Sequence, residues 1–248
     1  MSTDTPTSEG LDIFQTANRY KFSGVKAEDL GSAEYTLVTI VNDVSGSVGG
    51  FKTEMEKCLQ TILEACQKSP RAENLLIRLV QFDTKVDELH GFKVLSGIDS
   101  KSYDDILVIG GATALFDATH TSIDATLKYA KGLGDFGIQA NAIIFVITDG
   151  EDNSSAYTPK KVKEIVAKAQ KDEVLESVTV VLIGVSGGSS SISQYLDRFK
   201  NEAGINQYVD IGSADPKTLA KLAQFISRSV SSTSQALGSG GPSAQLTF

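Results

Sequence analysis

Four stretches of this chain are apolar almost without a break: TLVTIV at 36–41, LLIRLVQF at 75–82, IIFVIT at 143–148 and VTVVLIGV at 178–185. A strand with one wet face alternates apolar and polar residues. Continuous apolar runs are buried on both faces and belong in a central parallel sheet. Between them the apolar spacing changes to that of helices. Met55, Cys58, Leu59, Ile62 and Cys66 recur at i, i+3, i+4, i+7 and i+11, and Pro70 closes that segment. Val162, Ile165, Val166 and Ala169 form a second stripe, entered through Thr158 as N-cap and Pro159 at the first helical position. Ile192, Tyr195, Leu196 and Phe199 form a third. Leu219, Leu222, Ala223 and Ile226 form a fourth, behind Asp215 and Pro216. Residues 110–132 read as a loop entering a helix, 207–211 as a last strand, and 86–95 as an antiparallel partner strand at the sheet edge. Repeated strand–helix alternation predicts an α/β fold: a doubly wound, mostly parallel, Rossmann-like sheet flanked by helices on both faces.

The chain has 248 residues, enough for one such domain with its ends. The reading divides it into an N-terminal segment 1–34, a domain 35–228 and a tail 229–248. The first ten residues are polar and read as disordered, while 11–34 carry apolar patches expected to lie against the domain. The tail, SVSSTSQALGSGGPSAQLTF, has no charged side chain and reads as a flexible linker, its closing SAQLTF included. Net charge is −8, which argues against nucleic acid and anionic membrane as partners. No apolar run of about 18 residues is present, so membrane insertion is not expected, and the N-terminus does not read as a secretion signal. Cys58 and Cys66 lie eight apart on a predicted helix, about 12 Å along its axis, too far for a disulfide. They read as core residues, and the compartment as cytoplasmic.

Polar oxygen collects where the apolar runs stop. Asp43, Ser45 and Ser47 follow the first strand in VNDVSGSVGG. Thr113 stands in GGATALFDA just before a helix, and Asp149 in ITDGEDN just after a strand. Open α/β sheets place their sites at the carboxyl ends of strands. Two carboxylates and three hydroxyls, with no Cys or His among them, suit a hard divalent cation such as Mg²⁺ or Mn²⁺ and not zinc. Taken singly, Asp and Ser after a strand also serve as Asx-turns and helix caps. The weight rests on all three segments occurring in order, each beside the expected element.

With these residues in place the chain resembles the von Willebrand factor A domains, whose metal-ion-dependent adhesion site has the pattern D-x-S-x-S, a distant Thr and a distant Asp. Asp43, Ser45, Ser47, Thr113 and Asp149 match it at every position, and the resemblance covers about residues 35–228. It implies that the two serines and the threonine coordinate Mg²⁺ or Mn²⁺, that the aspartates bind directly or through water, and that a Glu or Asp of a partner protein completes the shell. By that resemblance the chain is a docking module and not an enzyme. Its specificity would lie in the loops 83–91, 96–112, 150–158 and 186–191. Glu151 and Asp152 read as solvated charges beside the site.

The rival from another class is a Mg²⁺-dependent phosphohydrolase or phosphotransfer enzyme with Asp43 as nucleophile. Such enzymes usually carry a second acid two residues on, where this chain has Ser45, and residues 145–156 contain no lysine to clamp a phosphate. A third reading is a structural subunit of a larger ATPase or signalling complex. Of the two histidines, His120 reads as packed on a helical stripe and His90 as exposed. The serine-rich GVSGGSSS lacks the lysine of a P-loop.

Overall fold

TLVTIV is the middle of β3 (Glu34–Asp43), and from Tyr35 onward every residue of that strand is buried. It runs parallel to β4 (Leu75–Phe82) on one side and β6 (Gln139–Thr148) on the other, in unbroken register. The computed structural model describes residues 11–16, 19–50, 52–212, 215–237 and 248; the first ten residues and 238–247, read above as disordered, lie outside the described residues. Beyond β6 the sheet continues in parallel through β7 (Val178–Gly184) and β8 (Gln207–Asp210). Helices α1 (Lys52–Gln67) and α5 (Pro216–Ala236) cover one face, with α2 (Leu115–Asp135), α3 (Pro159–Lys171) and α4 (Ser190–Ala203) on the other. The predicted doubly wound α/β sheet is therefore the one observed. The strand side chains divide by parity: Leu37 and Val41 of β3 point into the α2–α4 layer, Val38 and Ile40 into the α1–α5 layer. A strand clad on both faces favours apolar side chains on each, which is why its sequence lacks the regular polar alternation of a half-wet strand.

The sheet is wider than predicted. The strand at 86–95 is β5 (Val86–Val94), antiparallel to β4 as expected, but it is not the edge. A hairpin of β1 (Leu11–Gln15) and β2 (Lys21–Val25) extends the sheet past it, giving the order β1-β2-β5-β4-β3-β6-β7-β8. Residues 11–25 thus contribute two strands to the sheet, ahead of the boundary expected at 35. Phe22 is buried and stacks on Phe14 at 5.2 Å, and Phe92 of β5 stacks on Tyr129 of α2 at 4.4 Å. Gly91 allows this approach, since a Cβ there would lie 2.0 Å from the Ser23 carbonyl oxygen.

A buried cation ties the hairpin down. Arg78, inside LLIRLVQF, is fully enclosed; its Nε donates to Glu88 Oε2 at 2.7 Å and its Nη2 to the Tyr20 hydroxyl at 2.9 Å. The guanidinium also lies over the rings of Tyr20, Phe22 and Phe92. Glu88 Oε1 in turn accepts from the backbone N–H and the hydroxyl of Ser23, both at 2.7 Å. One ion pair therefore joins β2, β4 and β5.

The other end also departs from expectation. Helix α5 continues to Ala236, into the stretch read as tail from 229. Ser229, Val230, Thr233 and Ser234 are buried along it, so the uncharged serines and threonines are a packing face and not linker chemistry. Arg71 Nη1 donates to the Ser234 carbonyl at 2.7 Å, and the Asn141 amide donates to that of Thr233. These donors satisfy carbonyls that the end of a helix leaves open. His90 is half-buried rather than exposed. Its Nδ1 meets the Gly91 carbonyl at 2.8 Å and its Nε2 meets the Tyr103 hydroxyl.

Two outcomes follow from these contacts. Glu88→Ala strands a buried guanidinium and is expected to lower stability by about 3–5 kcal/mol, while the Arg78→Met/Glu88→Leu double variant recovers most of it; urea unfolding measures both. Burial of the His90 ring holds its pKa down to about 4, against an ordinary value of 6.5. Between those two values the unfolded chain takes up a proton that the folded chain refuses. Stability is then expected to fall as pH drops through that window, by at most about 3 kcal/mol from this group. His90→Gln should flatten the melting temperature across the same range.

Candidate metal centre

Strands β3 and β6 are neighbours and parallel, so the loops leaving their carboxyl ends start side by side. The first loop passes Asp43 and Ser45 into a short 3₁₀ turn, Gly46–Gly50, before α1. The second, ending at Thr113 and Ala114, feeds α2. The third leaves Thr148. Backbone bonds latch the first two together: Gly46 N–H donates to the Gly111 carbonyl at 3.1 Å, and Gly110 N–H to that of Val44 at 2.8 Å. Gly111 has φ +74°, and a Cβ on it would lie 2.5 Å from Asp83 Oδ2, so both conformation and space require glycine. The second and third loops meet at Thr113, whose N–H donates to Asn153 Oδ1 at 2.7 Å and whose carbonyl accepts from Asn153 N–H at 2.9 Å.

Side-chain oxygens then form a chain across the first and third loops. Asp43 Oδ1 accepts from Ser45 N–H at 2.8 Å, and Oδ2 accepts from the Thr148 hydroxyl at 2.6 Å. The Ser45 and Ser47 hydroxyls lie 3.2 Å apart, and Ser47 Oγ donates to Asp149 Oδ1 at 3.0 Å. Asp43, Ser45, Ser47 and Asp149 are therefore linked directly, and Thr113 joins them through its loop backbone. Asp43 is 0% exposed and Asp149 4%, with Ser45 and Thr113 also buried; Ser47 is the exposed member.

Burial is the first cause of the electrostatics. It pushes the Asp43 carboxyl up to about 6 against the pull of hydrogen bonds from Thr148 and Ser45, and the nearby Asp149 raises it further. Asp149 is raised as well, again chiefly by burial. Among the described residues no lysine or arginine forms an ion pair with either carboxylate. Two enclosed carboxylates without a basic partner, ringed by neutral hydroxyls, are a donor set that fits a hard divalent cation. No group of three or more His, Cys, Asp or Glu able to hold a metal occurs among the described residues, so a cation here would rely on the hydroxyls.

The sequence pattern did not single out Thr148, whose hydroxyl reaches Asp43, or Asn153, which brackets Thr113. Asp152 is not a solvated charge. Helix α2 starts from Ala114 with no side-chain cap of its own, and Asp152 Oδ2 accepts from Phe116 N–H at 3.1 Å in its place. Ser155 Oγ accepts from Phe116 and Asp117 N–H at 3.1 and 3.0 Å. Glu151 is exposed. His120 is half-buried and stacks on Tyr157 at 4.2 Å, the packed position expected of it.

The sequence profile of the von Willebrand factor type A domain matches residues 38–235. No curated protein matches the sequence at a significant level. Among solved structures the chain is similar in fold to the PilB minor pilin from Streptococcus sanguinis, with TM-score 0.55, 16% identity, and 79% of this chain and 61% of that one covered. It is similar to the pilus adhesin SpaC from Lactobacillus rhamnosus GG, with TM-score 0.55, 12% identity, and 84% and 32% covered. A third is proximal thread matrix protein 1 from the mussel byssus, described with a zinc-occupied MIDAS motif, at TM-score 0.51, 18% identity, and 80% and 47% covered. The chain spans between about a third and two thirds of the length of these proteins.

The geometry makes Thr148 testable apart from any ligand. Thr148→Val keeps the shape and removes the donor to Asp43 Oδ2. It is expected to lower stability by about 1–3 kcal/mol, read as a lower urea midpoint at unchanged m-value.

Proposed function

Because the chain belongs to the von Willebrand factor type A family, we propose that it is a metal-dependent protein-binding module. In this reading Asp43, Ser45, Ser47, Thr113 and Asp149 hold Mg²⁺ or Mn²⁺. The observation that carries it is the pair of enclosed carboxylates, Asp43 and Asp149, raised in pKa by burial and paired with hydroxyls instead of cations. Bound there, the ion would offer an open position to a Glu or Asp of a partner protein. The chain's own residues do the rest. Ser45, Ser47 and Thr113 supply neutral oxygens, which leave much of the ion's charge uncancelled and attractive to an incoming carboxylate. Ser47, exposed at the mouth, marks the side from which a partner arrives. Val108, two positions before the Gly110 that bonds to Val44, is 72% exposed, and in this reading it adds an apolar group to the docking side.

The hydrolase alternative needs Asp43 to present a free oxygen to substrate. Ser45 stands where such enzymes carry a second acid and residues 145–156 hold no lysine, which favours binding over turnover. Cytoplasmic placement belongs to the proposal and rests on Cys58 and Cys66, two thiols of α1 buried in the core. That nucleic acid is not a partner rests on the net charge of −8. No described helix is long and apolar enough to cross a membrane.

Thermal unfolding of the wild type and Asp43→Asn, each in excess chelator and in millimolar Mg²⁺ or Mn²⁺, tests the reading. At a hundredfold excess over Kd the ion adds about 2.7 kcal/mol, a rise of about 5–10 °C for a domain of this size. The wild type is expected to show that rise and the variant to lack it. A response retained in Asp43→Asn would place the ion elsewhere, and no response in the wild type would remove the metal from the mechanism.

A further inference from the structure

Asn153 lies in the loop after β6, exposed to solvent, yet its contacts are directed at one residue. Its Oδ1 accepts from Thr113 N–H at 2.7 Å, and its backbone N–H donates to the Thr113 carbonyl at 2.9 Å. Ser154 N–H adds a second bond to that carbonyl at 3.2 Å. The N–H groups of both neighbouring residues are held as well: Ala112 N–H by Thr84 Oγ1 at 3.0 Å, and Ala114 N–H by the Asp83 carbonyl at 2.8 Å. Resting on the metal-binding reading above, we propose that Asn153 is the positioning residue for Thr113. It fixes the Thr113 backbone, and with it the bond that carries the hydroxyl, before any cation arrives.

The physical argument is one of ordering. A loop residue recruited as a ligand must first surrender backbone freedom worth about 1–2 kcal/mol. Thr113 surrenders it on folding, because residue 153 grips both its N–H and its carbonyl. Asparagine is well suited to such a grip. Its short side chain places an acceptor beside its own backbone donor, so one residue can hold both the N–H and the carbonyl of another. Alanine keeps the backbone donor and loses the acceptor. Because Asn153 is exposed, that change removes no core packing. Outer contacts that orient ligands typically alter metal affinity by about 10–100-fold.

The experiment titrates the full chain with Mn²⁺ alone by calorimetry and records the melting temperature in chelator for each variant. Asn153→Ala is expected to weaken Mn²⁺ binding by about 10–100-fold while its chelator melting temperature stays close to wild type. Asn153→Asp, which keeps the acceptor oxygen, is expected to bind at least as tightly as wild type. The deciding comparison is a double-mutant cycle. If Asn153 acts through the threonine hydroxyl, Thr113→Val/Asn153→Ala binds no more weakly than Thr113→Val alone. An unchanged affinity in Asn153→Ala, or losses that add in the double variant, overturns the proposal. If Asn153→Ala loses its cooperative melt, Asn153→Gln, which displaces the amide by one methylene, takes its place with the same expectations. A wild type that binds no Mn²⁺ defeats the metal reading itself, a result distinguishable from a wild type that binds and an Asn153 that does not matter.

Discussion

A carboxylate at the end of a fully enclosed strand must have its charge answered, and the upper half of this molecule is arranged around that need at Asp43. The strand cannot be moved: β3 is hydrogen-bonded in unbroken register on both sides and covered on both faces. The answer therefore comes from the loops. Ser45 turns its N–H back, Thr148 crosses from β6, and Ser47 passes a hydrogen bond on to Asp149. Each of these bonds is a neutral donor to a carboxylate, which stabilises without neutralising. The negative charge that remains is what the proposed cation would answer.

The division of labour between strands and loops explains why the oxygens are well placed. Asp43 and Thr148 end adjacent strands whose spacing the ladder fixes, and Thr113 is held by bonds to the loop that follows Thr148. None of these positions depends on a long flexible side chain. Serine, threonine and aspartate have few rotatable bonds, so backbone order transfers almost directly to oxygen order. Helix α2 is part of the same arrangement, since its first N–H groups are satisfied by Asp152 and Ser155 from the third loop.

What could be read from the sequence was whatever is local. The apolar runs of β3, β4, β6 and β7, the helical stripes between them and the D-x-S-x-S spacing each lie within a few residues and pointed to the fold. Thr113 and Asp149 were added by the order of the three segments and the family resemblance. Features set by distant contacts were not visible. The role of Arg78 inside LLIRLVQF is set by Glu88 of β5 and by Tyr20, neither of them near it in sequence. The N-terminal hairpin was read only as something lying against the domain, since β1 and β2 are short and mixed in polarity, and their hold comes from Ser23 meeting Glu88, 65 positions away. Thr148 meets Asp43 across 105 positions and Asn153 meets Thr113 across 40. The end of α5 was mistaken for linker because serine and threonine are common in both. What separates the two cases is a neighbouring surface to bury them and donors such as Arg71 to close the helix.

The hairpin has a consequence for how this molecule survives crowded conditions. A central β-sheet that stops at an open strand offers its unpaired backbone groups to any other extended chain. Here β5 would be that strand, nine residues long, with the buried Phe92 behind it. The hairpin lies along part of it, meeting it at Gly24 and Phe92. It is held by the Arg78–Glu88–Ser23 bonds, the buried Phe22 and the Tyr129 hydroxyl on the Val25 carbonyl. Without β1 and β2 the sheet would bare that margin. The hairpin therefore does more than widen the sheet: it takes up a margin that would otherwise be free to pair with another chain.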